Sequence, residues 1–154
     1  MKTLIIKDWR ELDKIKEEWN TLLTESHANS IFLTWEWIQS WRAVVGDEVN
    51  LFIITVRDSD NRLVGIAPFY QYHLKLLNLF NFKALRILAD HATSSEFPDW
   101  IVSPDCENEA LFAITGALQN AKDDWDLIWM PRVSGWSHAF ERITTATKNA
   151  GMLV

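Results

Sequence analysis

A single cysteine, Cys106, stands in this chain of 154 residues, so no intramolecular disulfide can form. Pairs of the C-x-x-C type are absent, and the histidines show neither H-x-x-x-H nor H-E-x-x-H spacing, which removes the usual zinc arrangements. No apolar run approaches the roughly 20 residues that cross a bilayer. The opening Met1-Lys-Thr-Leu-Ile-Ile-Lys7 has only three consecutive apolar residues before a charge, too few for a secretory core. A reducing, cytoplasmic setting is the expectation. Lys and Arg are scattered rather than clustered, and the formal charge of −6 with a pI near 5.1 argues against a nucleic-acid surface. Internal repeats, low-complexity segments and linker-like composition are missing too, so residues 1–154 read as a single domain. At this length about 68–70% of the unfolded surface can be buried, and folding needs neither metal nor disulfide.

What is present is a central hairpin and nine tryptophans. Leu51-Phe-Ile-Ile-Thr-Val56 is a β-branched, aromatic run that reads as a buried strand, and Leu63 to Tyr72 follows as its partner. Between them Asp58-Ser-Asp-Asn-Arg62 turns the chain through side chains that bond their own backbone. Pro68 cannot donate to a ladder, so its strand lies locally at an edge or carries a bulge. Gly65 admits a bulge or the close approach of another group. The tryptophans are expected to fill the core, with some edge of the closely spaced Trp35, Trp37 and Trp41 left exposed.

In chain order, Thr3–Ile6 reads as a strand. Asp8 with Glu11 three residues on is a capping-box arrangement, and Leu12, Ile15, Trp19, Leu22 and Leu23 recur behind it at helical spacing, which predicts a helix over Trp9–Glu25. Thr34 caps a second helix with Trp37, Trp41 and Val44 along one face, widened by Ile38 and Val45, and Gly46 ends it as a left-handed residue. Leu74 to Lys83, apolar but broken by asparagines, is expected to be an irregular, partly buried connection that could also meet a partner. Ala84–Ala89 and Trp100–Val102 read as strands. A helix begins near Pro104 or Asp105 with Ala110, Leu111, Ile114, Leu118 and Ala121 as its stripe. Asp126–Met130 is a strand stopped by Pro131. A last helix, roughly Ser137 to Ala150, turns Phe140 and Ile143 inward and is closed by Gly151. Met152-Leu-Val154 reads as the opening of a further strand, a sheet broken off before its last strands, whose open edge invites self-association.

Three stretches, Phe32-Leu-Thr-Trp-Glu-Trp-Ile-Gln-Ser-Trp41, Leu63-Val-Gly-Ile-Ala-Pro-Phe69 and Phe97-Pro-Asp-Trp-Ile-Val-Ser-Pro104, resemble one branch of the GNAT N-acetyltransferase superfamily. It is the branch of acetyltransferases involved in cellulose biosynthesis, related to the Fem-type aminoacyl transferases. The order of strand, two helices, meander and third helix resembles that superfamily as well. The resemblance implies an α/β (α+β) fold with a mixed, mainly antiparallel sheet flanked by helices. It implies a second GNAT-like half, C-terminal to this one, that carries the better acyl-CoA site. The implied reaction moves an acyl group from acetyl-CoA or another acyl-CoA to an amine or hydroxyl of a small-molecule or sugar acceptor, in polysaccharide or cell-envelope biosynthesis.

GNAT enzymes hold the CoA pyrophosphate in a loop of the type Gln/Arg-x-x-Gly-x-Gly/Ala between the fourth strand and third helix, where backbone amides face phosphate. The corresponding stretch here, Ser103-Pro-Asp-Cys-Glu-Asn-Glu109, has no glycine, and Pro104 lacks an amide. Asp105, Glu107 and Glu109 put carboxylates where phosphates would sit, so this half is expected to bind no acyl-CoA and to be inactive alone. The densest polar cluster, Asp90, His91, Ser94, Ser95, Glu96 and Asp99, is the candidate acceptor-contacting loop, with His91 or Glu96 as a possible general base. A solvated loop whose side chains satisfy its own backbone explains the same residues. Ser94 lies in no G-x-S-x-G elbow, and the acidic neighbours of Cys106 disfavour a thiolate. Trp35 and Trp37 are candidates for lining an acceptor groove, core packing being the plainer reading. No catalytic or metal residue is assigned. Two other readings stay open: a complete small acetyl-CoA-dependent N-acetyltransferase, and a non-enzymatic interaction module that uses Leu74–Phe82.

Overall fold

The computed structural model describes residues 1–46, 48–77, 79–89, 96, 98–133 and 138–153. Its sheet has the order β1 (Lys2–Ile6), β2 (Leu51–Arg57), β3 (Leu63–Leu76), β4 (Phe80–Ile87), β6 (Leu127–Ile128), with β5 (Ile101–Val102) paired to β3. Every pairing is antiparallel except β4 with β6. Helices α1 (Trp9–Asp13), α2 (Lys16–Glu25), α3 (Trp35–Val45), α4 (Glu107–Asn120) and α5 (Ala139–Asn149) flank it.

The central hairpin forms as its residues dictate. Asp58 accepts from the amides of Asp60 and Arg62 at 2.9 Å each and from Arg62 Nε at 2.8 Å, and Asn61 takes the left-handed turn position at φ +63°. A register shift falls between Val56 and Arg57. A Cβ on Gly65 would lie 3.1 Å from Val56 Cβ and 3.4 Å from Ala110 Cβ, so the glycine lets α4 approach the sheet. Tyr70 on the opposite face meets Trp41 of α3 at 5.4 Å between rings. Side chains alternate across a strand, so α4 and α3 cover opposite faces.

Pro68 occupies a gap. On the β4 side of β3 the ladder with β4 ends at Phe69↔Ile87, and that with β5 begins at Ile66↔Ile101. The Pro68 carbonyl accepts from Leu88 N–H at 2.7 Å on that side. Its absent N–H therefore falls where one neighbour gives way to the next, the local edge that a proline requires. β5 resumes the line of β4 after the chain has left the ladder between Ile87 and Ile101.

Several expectations are corrected. The Trp9–Glu25 helix is two helices, Trp9, Leu12 and Ile15 recurring every third residue before the four-residue step to Trp19. A three-residue period is buried by 3-10 winding, and Lys14 and Ile15 donate to Glu11 and Leu12, three residues back. Asp8 and Thr34 do cap, accepting from the amides of Glu11 and Trp37. Val44 is exposed, and α3 buries Trp35, Ile38 and Trp41 instead. Gly46 has φ +83° but ψ 174°, outside the left-handed helical region. Leu74–Lys83 is no irregular connection: Leu74–Leu76 extends β3 and Phe80–Lys83 opens β4. The asparagine in Phe80-Asn81-Phe82 is the polar half of a two-residue alternation. β6 is shorter than Asp126–Met130, and α5 starts at Ala139, residues 134–137 lying outside those described. Phe140 is exposed, whereas Ala139, Ile143 and Thr147, each four residues apart, face inward. Gly151 closes α5 at φ +75°, but Met152 and Leu153 form no strand.

The core runs along both faces of the sheet. Trp19, Trp41 and Trp100 are fully buried, Trp9 and Trp35 nearly so, while Trp129 stays partly exposed. Among the described residues no helix is long and apolar enough to cross a membrane.

Candidate functional site

The β5–α4 connection is built without a phosphate cradle. Ser103 N–H donates to Val64 O at 2.9 Å, completing the strand side, and Pro104 heads the 3-10 turn Pro104–Cys106. Pro104 is well placed there, since the first positions of a helical turn need no N–H. Glu107 and Glu109 lie in the first turn of α4, where carboxylates favour the helix N-terminus. Glu107 is also engaged in space: its Oε1 accepts from Arg142 Nη1 at 2.5 Å. Burial pushes the Cys106 thiol up, and Glu109, Asp58 and Asp105 add to it against a hydrogen bond with Ser103, so the thiolate is disfavoured.

Arg142 joins that connection to the loop before β5. Its Nη2 donates to Asp99 Oδ2 at 2.7 Å, and Asp99 Oδ1 accepts from the Trp100 amide at 2.7 Å. Asp99 is 2% exposed. The sequence singled it out as a substrate contact, and the fold places it in an interior ion cluster, tied to α4 through Glu107 and to α5 through Arg142. Arg142 escaped the sequence reading. Its signal was a lone cation three residues after Ala139 and beside Ile143, on the inward side of α5, where a charge needs a partner.

The other candidates fall in several places, some of them outside the described residues. Glu96 is exposed to solvent. Asp90, His91, Ser94 and Ser95 lie outside the described residues. Trp35 is buried, its ring edge-on to Trp19 at 6.0 Å and its amide donating to Asn20 Oδ1 at 2.9 Å. Trp37 is half-buried, edge-on to Phe32 at 5.0 Å. Both belong to α3, on the face of the sheet opposite α4. Core packing is the role the fold gives Trp35.

Two grooves flank the connection. One, of about 480 Å³, runs between α4 and α5 past Glu107, Leu111 and Arg142. The other, of about 640 Å³, lies beside the Asp58 turn and contains Glu17, Glu18, Glu25, Asp58, Asp60 and Asp105. Among the described residues the one Lys or Arg lining that second groove, Arg62, is bound to Asp58 at 2.8 Å. Among the described residues no group of three His, Cys, Asp or Glu side chains could hold a metal. The surroundings of residues 103–109 are thus acidic and repel anions.

Fold and site together define a mixed α/β domain with a mostly antiparallel sheet flanked by helices. Among solved structures the chain is similar to the X-ray structure of the tetramutant of the BH1408 protein from Bacillus halodurans, with a TM-score of 0.62 over 100% of this chain and 94% of that one. Sequence identity is 14%, so the likeness concerns the fold alone. No protein-family model matches the sequence, and no curated protein matches it.

Proposed function

We propose that the chain is the N-terminal GNAT-like half of an acyltransferase of the cellulose-biosynthesis branch, and that it leaves acyl-CoA to a second half. The succession of strand, helices, antiparallel meander and a helix entered from the last meander strand supports the GNAT part of this reading. The β5–α4 connection carries the other part. A pyrophosphate docked there would meet Pro104 in place of a donor, with Asp105, Glu107 and Glu109 at the same helix start. Two like unit charges about 4 Å apart repel by about 4 kcal/mol at the effective dielectric of a protein surface. One uncompensated contact of that kind offsets about two backbone amide bonds to a charged group, at about 1.5–3 kcal/mol each.

The domain supports its partner half and shapes one side of an acceptor groove, the acceptor being an amine or hydroxyl compound. Calorimetry with acetyl-CoA on this chain tests the reading. No binding is expected up to millimolar ligand. A micromolar dissociation constant would overturn it in favour of a self-sufficient acetyl-CoA-dependent enzyme.

A further inference from the structure

β3 and β4 run on past the rest of the sheet. The last β3 residue paired with β2 is Tyr70, opposite Leu51, and β6 pairs with β4 only at Ala84 and Leu85. Among the described residues, the four pairs from His73↔Lys83 to Leu76↔Phe80 therefore have no strand on either side. They form a two-stranded arm about 13 Å long at the usual rise per residue. By register His73, Lys75, Asn81 and Lys83 share one face of the arm, and Leu74, Phe80 and Phe82 the other.

The end of the arm is apolar and open to solvent. Leu77 and Leu79 are each 78% exposed and Phe80 56%. Leu77 holds φ +53°, a backbone conformation that suits glycine or asparagine and strains leucine. Solvent and backbone alike favour another residue there, yet the position carries a large aliphatic side chain.

Charge is segregated along the same stretch. From Asn61 to Ala89 the chain has no Asp or Glu but has Arg62, Lys75, Lys83 and Arg86, although its net charge is −6. At the root, the Arg86 guanidinium stacks on Tyr72 at 5.4 Å and on Trp129 at 5.0 Å, and Trp129 is 40% exposed. Acidic residues approach the root: Asp126 Oδ2 accepts from the Lys83 amide at 2.7 Å, and Lys83 Nζ donates to the carbonyl of Asp123 at 3.2 Å.

An apolar end with a lysine collar behind it is a side-chain set matched to a lipid interface. We infer that this arm inserts into an anionic membrane surface, with Leu77, Leu79 and Phe80 in the acyl boundary and Lys75 and Lys83 at the lipid phosphates. A narrow convex ridge of leucines suits a deformable bilayer.

Co-sedimentation of the full chain with vesicles of phosphatidylcholine, with and without phosphatidylserine, tests this. Binding is expected to the phosphatidylserine vesicles and to weaken at high salt. Leu77→Asp/Leu79→Asp should reduce partitioning at least about ten-fold through lost apolar burial, and Lys75→Glu/Lys83→Glu by about ten-fold or more through reversed charge. Both pairs are solvent-facing, and unchanged circular dichroism and melting serve as controls. The inference is overturned if the wild-type chain ignores phosphatidylserine vesicles, or if neither double variant changes partitioning. It is also overturned if the tip variants abolish a self-assembly seen by sizing while vesicles are ignored, since the arm would then dock on protein.

Discussion

Replacing Arg142 by leucine should be among the most damaging single changes outside the apolar core. The side chains of Asp99 and Arg142 are 3% and 13% exposed, and that of Glu107 is 26% exposed. Taking the guanidinium away removes a cation bound to Asp99 in a place water barely reaches, while Glu107 can turn toward solvent. Breaking a buried pair on one side costs about 3–5 kcal/mol. Because Glu107 rehydrates, the lower end, about 3 kcal/mol, is the expected loss. For a chain of this size each kcal/mol lowers Tm by about 2–4 °C, giving a drop of about 6–12 °C. Urea unfolding followed by tryptophan fluorescence measures it, and Asp99→Asn in the Arg142→Leu background should recover part of the loss, leaving the double variant more stable than the single effects sum to. A loss below about 1 kcal/mol, the size of an exposed pair, would refute the claim that the cluster is interior and holds α5 to α4.

Gly65→Ala should destabilise by about 1–3 kcal/mol, since its Cβ would stand 3.1 and 3.2 Å from Val56 atoms and 3.4 Å from Ala110. A melting temperature equal to wild type would show that α4 is not seated against the hairpin. Cys106 should alkylate more slowly than a free cysteine at pH 8, and its rate should still climb with pH where that of a free cysteine has levelled off. Its thiol is held above the ordinary value by burial and nearby carboxylates, and the reactive thiolate appears only as pH approaches that raised value. Mass spectrometry of timed reactions reads the rate, and reaction at the free-cysteine rate would contradict the acidic surroundings of the α4 start.

What could be read from the residues was what neighbours in sequence decide. The β2–β3 hairpin, the Asp58 turn and the Asp8 and Thr34 caps depend on groups within a few positions of one another. So does the fit of a proline to a local edge. Distant packing decided the rest. Phe140 looked inward by hydrophobicity, yet the inward line of α5 is Ala139, Ile143 and Thr147, set by the close approach of α4. The arm is hard to read from the residues because Asn81 looks like a break and is the polar beat of a strand. At the candidate site, Asp99 stood out as one polar residue in a cluster. Its meaning rests on Arg142, 43 residues away in the chain, and no local pattern discloses such a partner. Glycine's absence from residues 103–109 was visible at once, because a missing residue type needs no tertiary information.

The hand-over of β3 from one partner to another at Pro68 bears on how this chain tolerates change in length. Ile87 and Ile101 each keep their own rungs on β3, and Leu88, Asp99 and Trp100 beside them are held as well, so a change in length that leaves these five residues in place displaces no rung. An insertion within β3 has the opposite consequence. It would slide the proline out of its vacancy and set a ring where a neighbouring carbonyl awaits a proton.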